Sequence, residues 1–251
     1  MTVEHFIFGN GPARAIVLHG WFADSREFEH MLPALDPSKF TLAFMDFRGY
    51  GNARASKGPF NMSTVAEDVE ALANSLKWSD FSLVGHSMGA KAALRTAVNL
   101  KSRVARILAL TPVWAGAASF DAGTLALFRG AAKDLASREA ILTHSTGGRL
   151  PKTWIRWLAQ TSSEACREET FEAYFHSWAM EDFATEVQGL PHQILAVAGE
   201  NDNGIPAEAI AATWIKNLPN ARLEILPTCG HYPMLETPIA LASIFERFLA
   251  S

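Results

Sequence analysis

The stretch Gly85-His86-Ser87-Met88-Gly89 carries the most information about the fold. It follows the apolar run Phe81-Ser82-Leu83-Val84 and precedes Ala90-Lys91-Ala92-Ala93-Leu94-Arg95, which has the composition of a helix. A serine between two glycines at such a strand-to-helix junction is typical of a nucleophile elbow, a turn in which the serine takes strained backbone angles. The glycines leave out the side chains that would collide across the turn. We therefore expect the Ser87 hydroxyl to stand at the carboxyl end of a strand, where a substrate can reach it.

Composition limits the class of protein. The chain has 251 residues, of which 49% are hydrophobic and 19% charged, as expected for one large globular domain or one domain with an insertion. A net charge of −4 argues against nucleic acid as a partner. Cys166 and Cys229 show neither metal-ligand spacing nor a disulfide pattern, and we expect free thiols. Because no signal peptide or membrane span is evident, we expect a cytoplasmic protein with no membrane partner.

Short apolar runs alternate with helical patterns along most of the chain. Helices are predicted over Ser63–Lys77, with a start at Ser63 that resembles a capping box, and over Pro238–Leu249. Nearly continuous apolar strands joined by helices predict an α/β protein with a mostly parallel sheet that is covered on both faces. The runs that predict strands are Ala13–Leu18, Thr41–Met45, Phe81–Gly85, Val104–Leu110, Gln193–Ala198 and Ala221–Leu226.

The segment between residues 112 and 189 interrupts this alternation. It has helical patterns over Thr124–Arg138, Trp154–Ala159 and Glu168–Trp178, and no run that predicts a strand. We expect residues 112–189 to form a helical cap over the strand ends, inserted between two parts of the core at 1–111 and 190–251. Many aromatic residues of the segment hold the cap helices together, and others are expected to face the substrate. The predicted substrate-binding residues are Trp154, Trp157, Phe175 and Trp178.

A serine hydroxyl becomes a useful nucleophile when a histidine takes its proton and a carboxylate orients that histidine. Two later loops supply these groups. Asp202 lies on the loop after the run Gln193–Ala198, and His231 lies after the last predicted strand, so both are expected at the same sheet edge as Ser87. Glu200 is a competing acid, but the spacing to the following Ile-Pro pair favours Asp202. The predicted catalytic residues are Ser87, Asp202 and His231.

Five motifs in this order resemble those of the α/β-hydrolase superfamily, over nearly the whole chain. Besides the elbow and the Asp202 loop, they are an oxyanion-loop motif at His19-Gly20-Trp21, a post-strand turn at 46–51 and a histidine segment at 230–238. The superfamily uses the chain order Ser, Asp, His. The resemblance implies the α/β-hydrolase fold with a helical cap, in a branch similar to serine esterases and lactonases. It also implies a structural role for Asp46.

Acyl transfer requires two N–H groups that face the developing oxyanion. The backbone N–H of Met88, directly after the nucleophile, is expected to be one. The N–H of Trp21 is expected to be the other, with Phe22 as the alternative if the loop is shifted by one residue. His86 should point away from the Ser87 hydroxyl, and His19 is expected to brace the oxyanion loop.

These residues predict hydrolysis of a carboxylic ester, lactone or thioester of small to medium apolar size, through an acyl-enzyme on Ser87. A carbon–carbon bond hydrolase, a cofactor-free perhydrolase and a ligand-sensing signalling protein are alternatives on the same residues. The predicted partner is a small-molecule substrate, and the sequence does not indicate an oligomeric state. No cofactor or metal is expected, because nucleotide-binding and zinc motifs are missing. Three residues are candidates for binding a substrate carboxylate: Arg129, Arg149 and Arg156.

Overall fold

The computed structural model describes residues 3–250. Its strands are β1 (His5–Phe8), β2 (Ala13–Leu18), β3 (Phe40–Met45), β4 (Phe81–His86), β5 (Val104–Leu110), β6 (Gln193–Gly199) and β7 (Ala221–Leu226). They form one sheet in the order β1-β3-β2-β4-β5-β6-β7. The strand β1 is antiparallel to β3, and all other neighbours are parallel. The predicted mostly parallel α/β sheet is thus confirmed.

Helices flank the sheet and fill the connections between its strands. In chain order they are α1 (Met62–Ser75), α2 (Met88–Leu100), α3 (Ala122–Gly130), α4 (Leu135–Ser145), α5 (Lys152–Ala165), α6 (Glu168–Met180), α7 (Ala184–Val187), α8 (Ala207–Ile210), α9 (Pro233–Glu236) and α10 (Pro238–Leu249). Short 3-10 helices span Ser25–Ala34, Gly51–Ala53 and Lys101–Arg103, and a π-helical turn over Ala211–Ile215 extends α8.

The register of the parallel strands brings their carboxyl ends together. Leu18 at the end of β2 lies opposite Gly85 of β4, and the last residue of β4, His86, lies opposite Leu110. Leu110 in turn pairs with Val197 of β6. The loops after β2, β4, β5 and β6 therefore leave the same edge of the sheet, as they do at ligand sites of open α/β sheets.

Two local predictions require correction. The N-cap of α1 is Asn61, whose side chain accepts a hydrogen bond from the Thr64 N–H, so the predicted capping position at Ser63 is wrong. The predicted helix Thr124–Arg138 is two helices, because the Asp134 carboxylate caps α4 by accepting from the N–H groups of its first turn. An aspartate carboxylate that accepts from nearby backbone N–H groups competes with the carbonyl acceptors of a continuing helix.

The segment between β5 and β6 contains helices α3–α7. Lys91, a fully buried residue of α2, fastens this segment to the core. Its ammonium donates to the carbonyl oxygens of Gly116 (3.2 Å), Trp178 (2.9 Å) and Glu181 (2.6 Å), which lie near the two ends of the segment. Burial lowers the pKa of Lys91 to about 8, against the opposing charge of Glu181. A single side chain thus joins the elbow helix to both ends of the cap.

Candidate active site

The turn between β4 and α2 holds Ser87 in a strained conformation, with φ 51° and ψ −112°. A Cβ at Gly85 would lie 2.5 Å from the Gly89 carbonyl oxygen, and one at Gly89 would overlap the carbonyl oxygen of Leu18. Both glycines are therefore required by the close approach of backbone to backbone. The Ser87 N–H donates to the Leu110 carbonyl oxygen at 2.9 Å, which fixes the turn to the neighbouring strand.

The three side chains named from the motifs form one hydrogen-bonded series. Ser87 Oγ lies 3.0 Å from His231 Nε2, and His231 Nδ1 lies 2.7 Å from Asp202 Oδ2. Because an ionised carboxylate only accepts, Nδ1 carries the proton and donates it to Asp202, which leaves the Nε2 lone pair facing the serine hydroxyl. All three residues are at most 9% exposed. The imidazole is therefore in the tautomer that can take a proton from Ser87.

The loop after β6 fixes the carboxylate. The second oxygen of Asp202, Oδ1, accepts from the N–H groups of Gly204 (2.9 Å) and Ile205 (3.0 Å). Glu200, the competing acid, is exposed and accepts from the Thr228 N–H at 2.8 Å. The structure therefore brings the Asp202 carboxylate to the imidazole and directs the Glu200 carboxylate to the backbone of Thr228.

Electrostatics within this series favour an ionised acid and a basic imidazole. Burial alone would raise the pKa of Asp202, but the charge and hydrogen bond of His231 leave it below its ordinary value. Burial alone would lower the pKa of His231, but the charge and hydrogen bond of Asp202 raise it above its ordinary value. A buried imidazole–carboxylate pair stabilises the imidazolium that forms when the serine loses its proton.

The two cysteines do not compete with Ser87 as nucleophiles. Both are free and buried. Burial raises the pKa of the Cys166 thiol to about 11 and that of Cys229 to about 12. Since the thiolate is the reactive form, both thiols stay protonated and inert near neutral pH.

Side chains from several elements brace the loop after β2. The His19 Nδ1–H donates to the Gly20 carbonyl oxygen (2.8 Å), and His19 Nε2 accepts from the Phe47 N–H (3.1 Å). The Tyr50 hydroxyl donates to the Trp21 carbonyl oxygen at 2.8 Å. His19 thus braces the loop after β2 and takes no part in the hydrogen bonds among Ser87, His231 and Asp202.

Asp46 stands in the turn after β3 and serves the backbone. Its two carboxylate oxygens accept from the N–H groups of Ser25 (2.9 Å) and Asn52 (2.8 Å). A Cβ at Gly51 would lie 2.5 Å from this carboxylate, and Gly51 also has a positive φ of 48°. Asp46 therefore ties two turns together and makes no contact with the serine series.

Three backbone N–H groups near Ser87 are available to a ligand. In the described part of the chain, no protein acceptor is found for the N–H of Trp21 or Phe22, both of which line the cavity above Ser87. Met88 is the first residue of α2, where an N–H has no partner within the helix. The expected oxyanion donors are thus available, and Phe22 stays an alternative to Trp21.

His86 turns away from the serine hydroxyl and makes buried contacts of its own. Its Nδ1 lies 3.0 Å and 3.1 Å from the two carboxylate oxygens of Glu27. Its Nε2 donates to the backbone carbonyl oxygen of His231 at 2.8 Å. Glu27 lies outside every motif found in the sequence.

A cavity of about 380 Å³ opens above Ser87 between the sheet edge and the cap. Its walls are mainly apolar, and none of the described residues that line it is an aspartate, glutamate, lysine or arginine. A larger crevice of about 820 Å³ lies near Gln193 and Ala221, at the amino ends of β6 and β7 and away from Ser87. The side chains that enclose the cavity at Ser87 include Phe22, Trp114, Phe120, Phe128, Ile141, His144, Trp178, Ile205 and Tyr232.

The four predicted substrate-binding aromatics occupy different surroundings. Trp178 lines the cavity. Phe175 is buried behind it, with ring centroids 5.3 Å from Trp178 and 5.4 Å from Trp21. Trp157 is 44% exposed and lies near His30, and Trp154 contacts Trp157 and Tyr232. Helical periodicity alone could not separate these cases, because the tilt of each cap helix decides which ring meets the cavity.

The three arginines considered as carboxylate anchors lie outside the cavity wall. Arg149 forms an ion pair with Glu236, which also accepts from the N–H groups of Gly230 and Tyr232. This pair supports the loop of His231. Arg129 and Arg156 are exposed on α3 and α5.

With the fold and these contacts established, the comparison with known families is direct. The model of the family described as alpha/beta hydrolase matches residues 15–244. The chain therefore belongs to the alpha/beta hydrolase family. Among its similar relatives is the pimeloyl-acyl-carrier-protein methyl ester esterase of Nitrosomonas europaea, which is 28% identical over 250 residues, 95% of this chain and 96% of that protein.

A second relative and a solved structure extend the comparison. The 2-hydroxymuconate semialdehyde hydrolase of Pseudomonas putida is 28% identical over 216 residues, 82% of this chain and 75% of that protein. An esterase from Exiguobacterium antarcticum has the same fold, with a TM-score of 0.85 at 21% identity over 99% of this chain and 96% of that one. Both a methyl ester esterase and a semialdehyde hydrolase are thus among the relatives.

No helix within residues 3–250 combines the length and apolar character that crossing a membrane requires. Within the same residues, no group of three or more histidine, cysteine, aspartate or glutamate side chains is arranged to hold a metal ion.

Proposed function

We propose that this protein is a serine hydrolase that cleaves a carboxylic ester through an acyl-enzyme on Ser87, with His231 as the base and Asp202 as the orienting acid. The observation that carries the proposal is the continuous hydrogen-bonded series from Ser87 to Asp202, at 3.0 Å and 2.7 Å, beneath a substrate-sized cavity. This arrangement supplies the nucleophile, the base and the orienter that acyl transfer requires.

The reaction proceeds in two halves. Ser87 Oγ attacks the ester carbonyl carbon while His231 Nε2 takes the hydroxyl proton, and the negative charge moves to the carbonyl oxygen. Met88 and Trp21 donate their backbone N–H groups to this oxygen. As the C–O bond breaks, His231 returns the proton to the leaving alcohol. Water, deprotonated by the same imidazole, then attacks the carbonyl carbon of the acyl-enzyme. As the bond between this carbon and Ser87 Oγ breaks, His231 gives the proton to Oγ, which releases the acid and regenerates Ser87.

The cavity favours an uncharged acyl group of medium length. Its volume of about 380 Å³ exceeds that of a short acetate ester, and charged side chains are missing from its described lining. Burying a carboxylate or phosphate among such groups would be costly without an ionic partner. A medium-chain methyl ester meets these conditions, and the relative from Nitrosomonas europaea, which spans nearly the same length, acts on a methyl ester of an acyl chain.

A carbon–carbon bond hydrolase is the second candidate. The same three residues serve that chemistry, and the relative from Pseudomonas putida favours it. The two functions differ in the bond that breaks, so they can be separated with substrates. A ligand-sensing signalling protein on the same residues would form the acyl-enzyme once and would not release it.

The test combines turnover with location of the acyl group. Methyl and p-nitrophenyl esters of C2–C12 acids, and 2-hydroxymuconate semialdehyde, are supplied to the purified protein. A serine-directed fluorophosphonate is used in parallel, followed by peptide mass mapping. We expect multiple turnovers of medium-chain esters and a label on Ser87.

Each other outcome has a defined meaning. Turnover of the semialdehyde with no ester hydrolysis would replace the proposal by the second candidate. One equivalent of p-nitrophenol without further turnover would favour the sensor. A label on a serine other than Ser87, with retained ester hydrolysis, would overturn the residue assignment.

A further inference from the structure

We propose that Glu27 and His86 form a positioning pair that holds the oxyanion loop and the backbone of His231 against the nucleophile elbow. This inference rests on the proposed function, because it assigns these two side chains to the geometry of the same reaction. Neither residue touches the Ser87 hydroxyl. Each acts through the loops that carry the reacting groups.

The carboxylate of Glu27 reaches two of these loops at once. Glu27 lies in the 3-10 helix Ser25–Ala34. Its Oε1 accepts from the Gly20 N–H at 2.9 Å, one residue before the proposed donor Trp21. The same carboxylate contacts His86 Nδ1, and the side chains of Glu27 and His86 are each 1% exposed. Water therefore cannot replace these contacts without a rearrangement of the loops.

His86 connects the pair to a third loop, the one that carries His231. The His231 carbonyl oxygen accepts from His86 Nε2 (2.8 Å) and from the Thr111 hydroxyl (3.0 Å). On its other side, the His231 N–H donates to the Ser145 carbonyl oxygen at 3.1 Å. The backbone of His231 is thus held from both directions, and its ring is left to bridge Ser87 and Asp202.

The pair also determines how closely the loops approach. A Cβ at Gly20 would lie 2.6 Å from His86 Nδ1, so the imidazole packs directly against the backbone of the oxyanion loop. A side chain at this position would push the ring or the loop away. The Nδ1–Cε1 edge of the imidazole therefore limits how closely the elbow and the oxyanion loop can approach each other.

The donors and acceptors of the pair determine where its hydrogens lie. A carbonyl oxygen only accepts, so His86 Nε2 keeps its hydrogen, and one further proton lies between Nδ1 and the Glu27 carboxylate. Wherever this proton resides, the pair is neutral overall, which makes its burial tolerable. A glutamine at position 27 can reproduce each contact: its oxygen accepts from the Gly20 N–H, and its NH₂ donates to Nδ1. A leucine of similar size can make neither.

The test compares three variants at this position with one control. Glu27→Gln keeps the hydrogen bonds, Glu27→Leu removes them, and Glu27→Asp keeps the charge but is one methylene too short to span both partners. Glu29→Leu, at an exposed position of the same 3-10 helix, is the matched control. The readouts are kcat and KM for a p-nitrophenyl ester, the rate of Ser87 labelling by a fluorophosphonate, and the Tm.

We expect Glu27→Leu and Glu27→Asp to lower kcat and the labelling rate by about 10- to 100-fold with little change in KM, as ångström-scale misplacement does. Glu27→Gln should stay within about threefold of the parent, and Glu29→Leu should match it. If Glu27→Leu does not fold, Glu27→Asp carries the same comparison. Reduced Tm with unaltered kcat in these two variants would assign the pair to stability alone and overturn the proposal.

Three other outcomes are equally informative. Loss of kcat in Glu27→Gln equal to that in Glu27→Leu would overturn the geometric account, since the charge would then be what matters. If the parent protein neither hydrolyses an ester nor labels at Ser87, the proposed function fails, and the positioning proposal fails with it. A parent that turns over and labels normally, with fully active Glu27→Leu, would overturn the positioning proposal alone.

Discussion

The core edge and the cap place their side chains around the same cavity by different physical means. At the core edge, Ser87, His231 and Asp202 each have a defined hydrogen-bond partner at 2.7–3.0 Å. In the cap, Phe175 and Trp178 lie in a cluster of rings whose centroids are 5–6 Å apart. Hydrogen bonds fix direction, whereas apolar packing fixes volume. Substitutions in the core should therefore change the rate, and substitutions in the cap should change the choice of substrate.

Trp21 belongs to both regions and joins them. Its ring stacks on Phe171 of α6 at 4.0 Å, and its indole N–H donates to the Phe171 carbonyl oxygen at 2.8 Å. Its backbone N–H is a proposed oxyanion donor. A shift of α6 would therefore move Trp21 and, with it, the proposed oxyanion donor. A substitution at this contact should change both the rate and the choice of substrate.

The largest expected effect tests the core side of the comparison. Ser87→Ala should lower kcat for the best ester by roughly 10⁶-fold, the scale seen when a triad nucleophile is removed. Ser82→Ala, which removes a hydroxyl from the same strand, should leave the rate unchanged. Circular dichroism establishes that both variants fold. Ester turnover by a folded Ser87→Ala at a rate near that of the parent would refute the assignment.

The next effect separates the two acidic residues of the loop after β6. Asp202→Asn should lower kcat by roughly 10⁴-fold, because the amide donates to Nδ1 and holds the imidazole in the wrong tautomer. Glu200→Gln serves as the matched control and should keep the parent rate, since Glu200 contacts only the Thr228 N–H at that turn. The reverse pattern of rates would exchange the roles of the two residues.

The pH dependence of kcat/KM tests the contact between Asp202 and His231. His231 must be neutral to take a proton, and Asp202 raises its pKa above the ordinary value of 6.5. The acid limb of kcat/KM for the parent should therefore lie above that pH. In Asp202→Asn the limb should move to lower pH, because the charge that raises the pKa is gone. If the acid limb of the residual activity of Asp202→Asn stays at the same pH as in the parent, a group other than His231 controls that limb.

The smallest effect tests the cap. Trp178→Ala and Trp178→Phe enlarge the cavity and should move the preferred acyl chain to greater length, changing the ratio of kcat/KM between neighbouring chain lengths by about 10-fold. Trp157→Ala should keep the parent profile, because Trp157 is 44% exposed and outside the wall. The measurement is a series of esters of graded length. An unchanged profile in both Trp178 variants would mean that the cap does not select the substrate.

The sequence predicts the core well because its local signals agree with its tertiary environment. The strand Phe81–His86 is buried along its whole length, so an apolar run is its direct signature. The strands Ala13–Leu18, Val104–Leu110 and Ala221–Leu226 have the predicted bounds. The edge strand His5–Phe8 was missed because four partly exposed residues give no comparable run.

The residues of the candidate site also differ in how well the sequence predicts them. Ser87, Asp202 and His231 each follow a strand within a short motif, so their convergence can be foreseen from topology. Glu27 lies in no motif, and its partners Gly20 and His86 are 7 and 59 positions away. One weak signal was available, a glutamate beside Phe28 on the buried face of a short helix. The direction in which the cap aromatics point depends on how the helices pack, so the local sequence does not predict it.

Lys91 defines where this cap can be exchanged for that of another family member. A donor segment joined outside Gly116 and Glu181 would leave the buried ammonium in place but supply new backbone around it, and a register error of one residue would remove carbonyl acceptors that lie at 2.6–3.2 Å. A buried ammonium that loses such partners is strongly destabilising. The fusion points of a chimera therefore belong between Gly116 and Trp178, where all three carbonyl acceptors stay in the parent chain, or position 91 must change together with the graft.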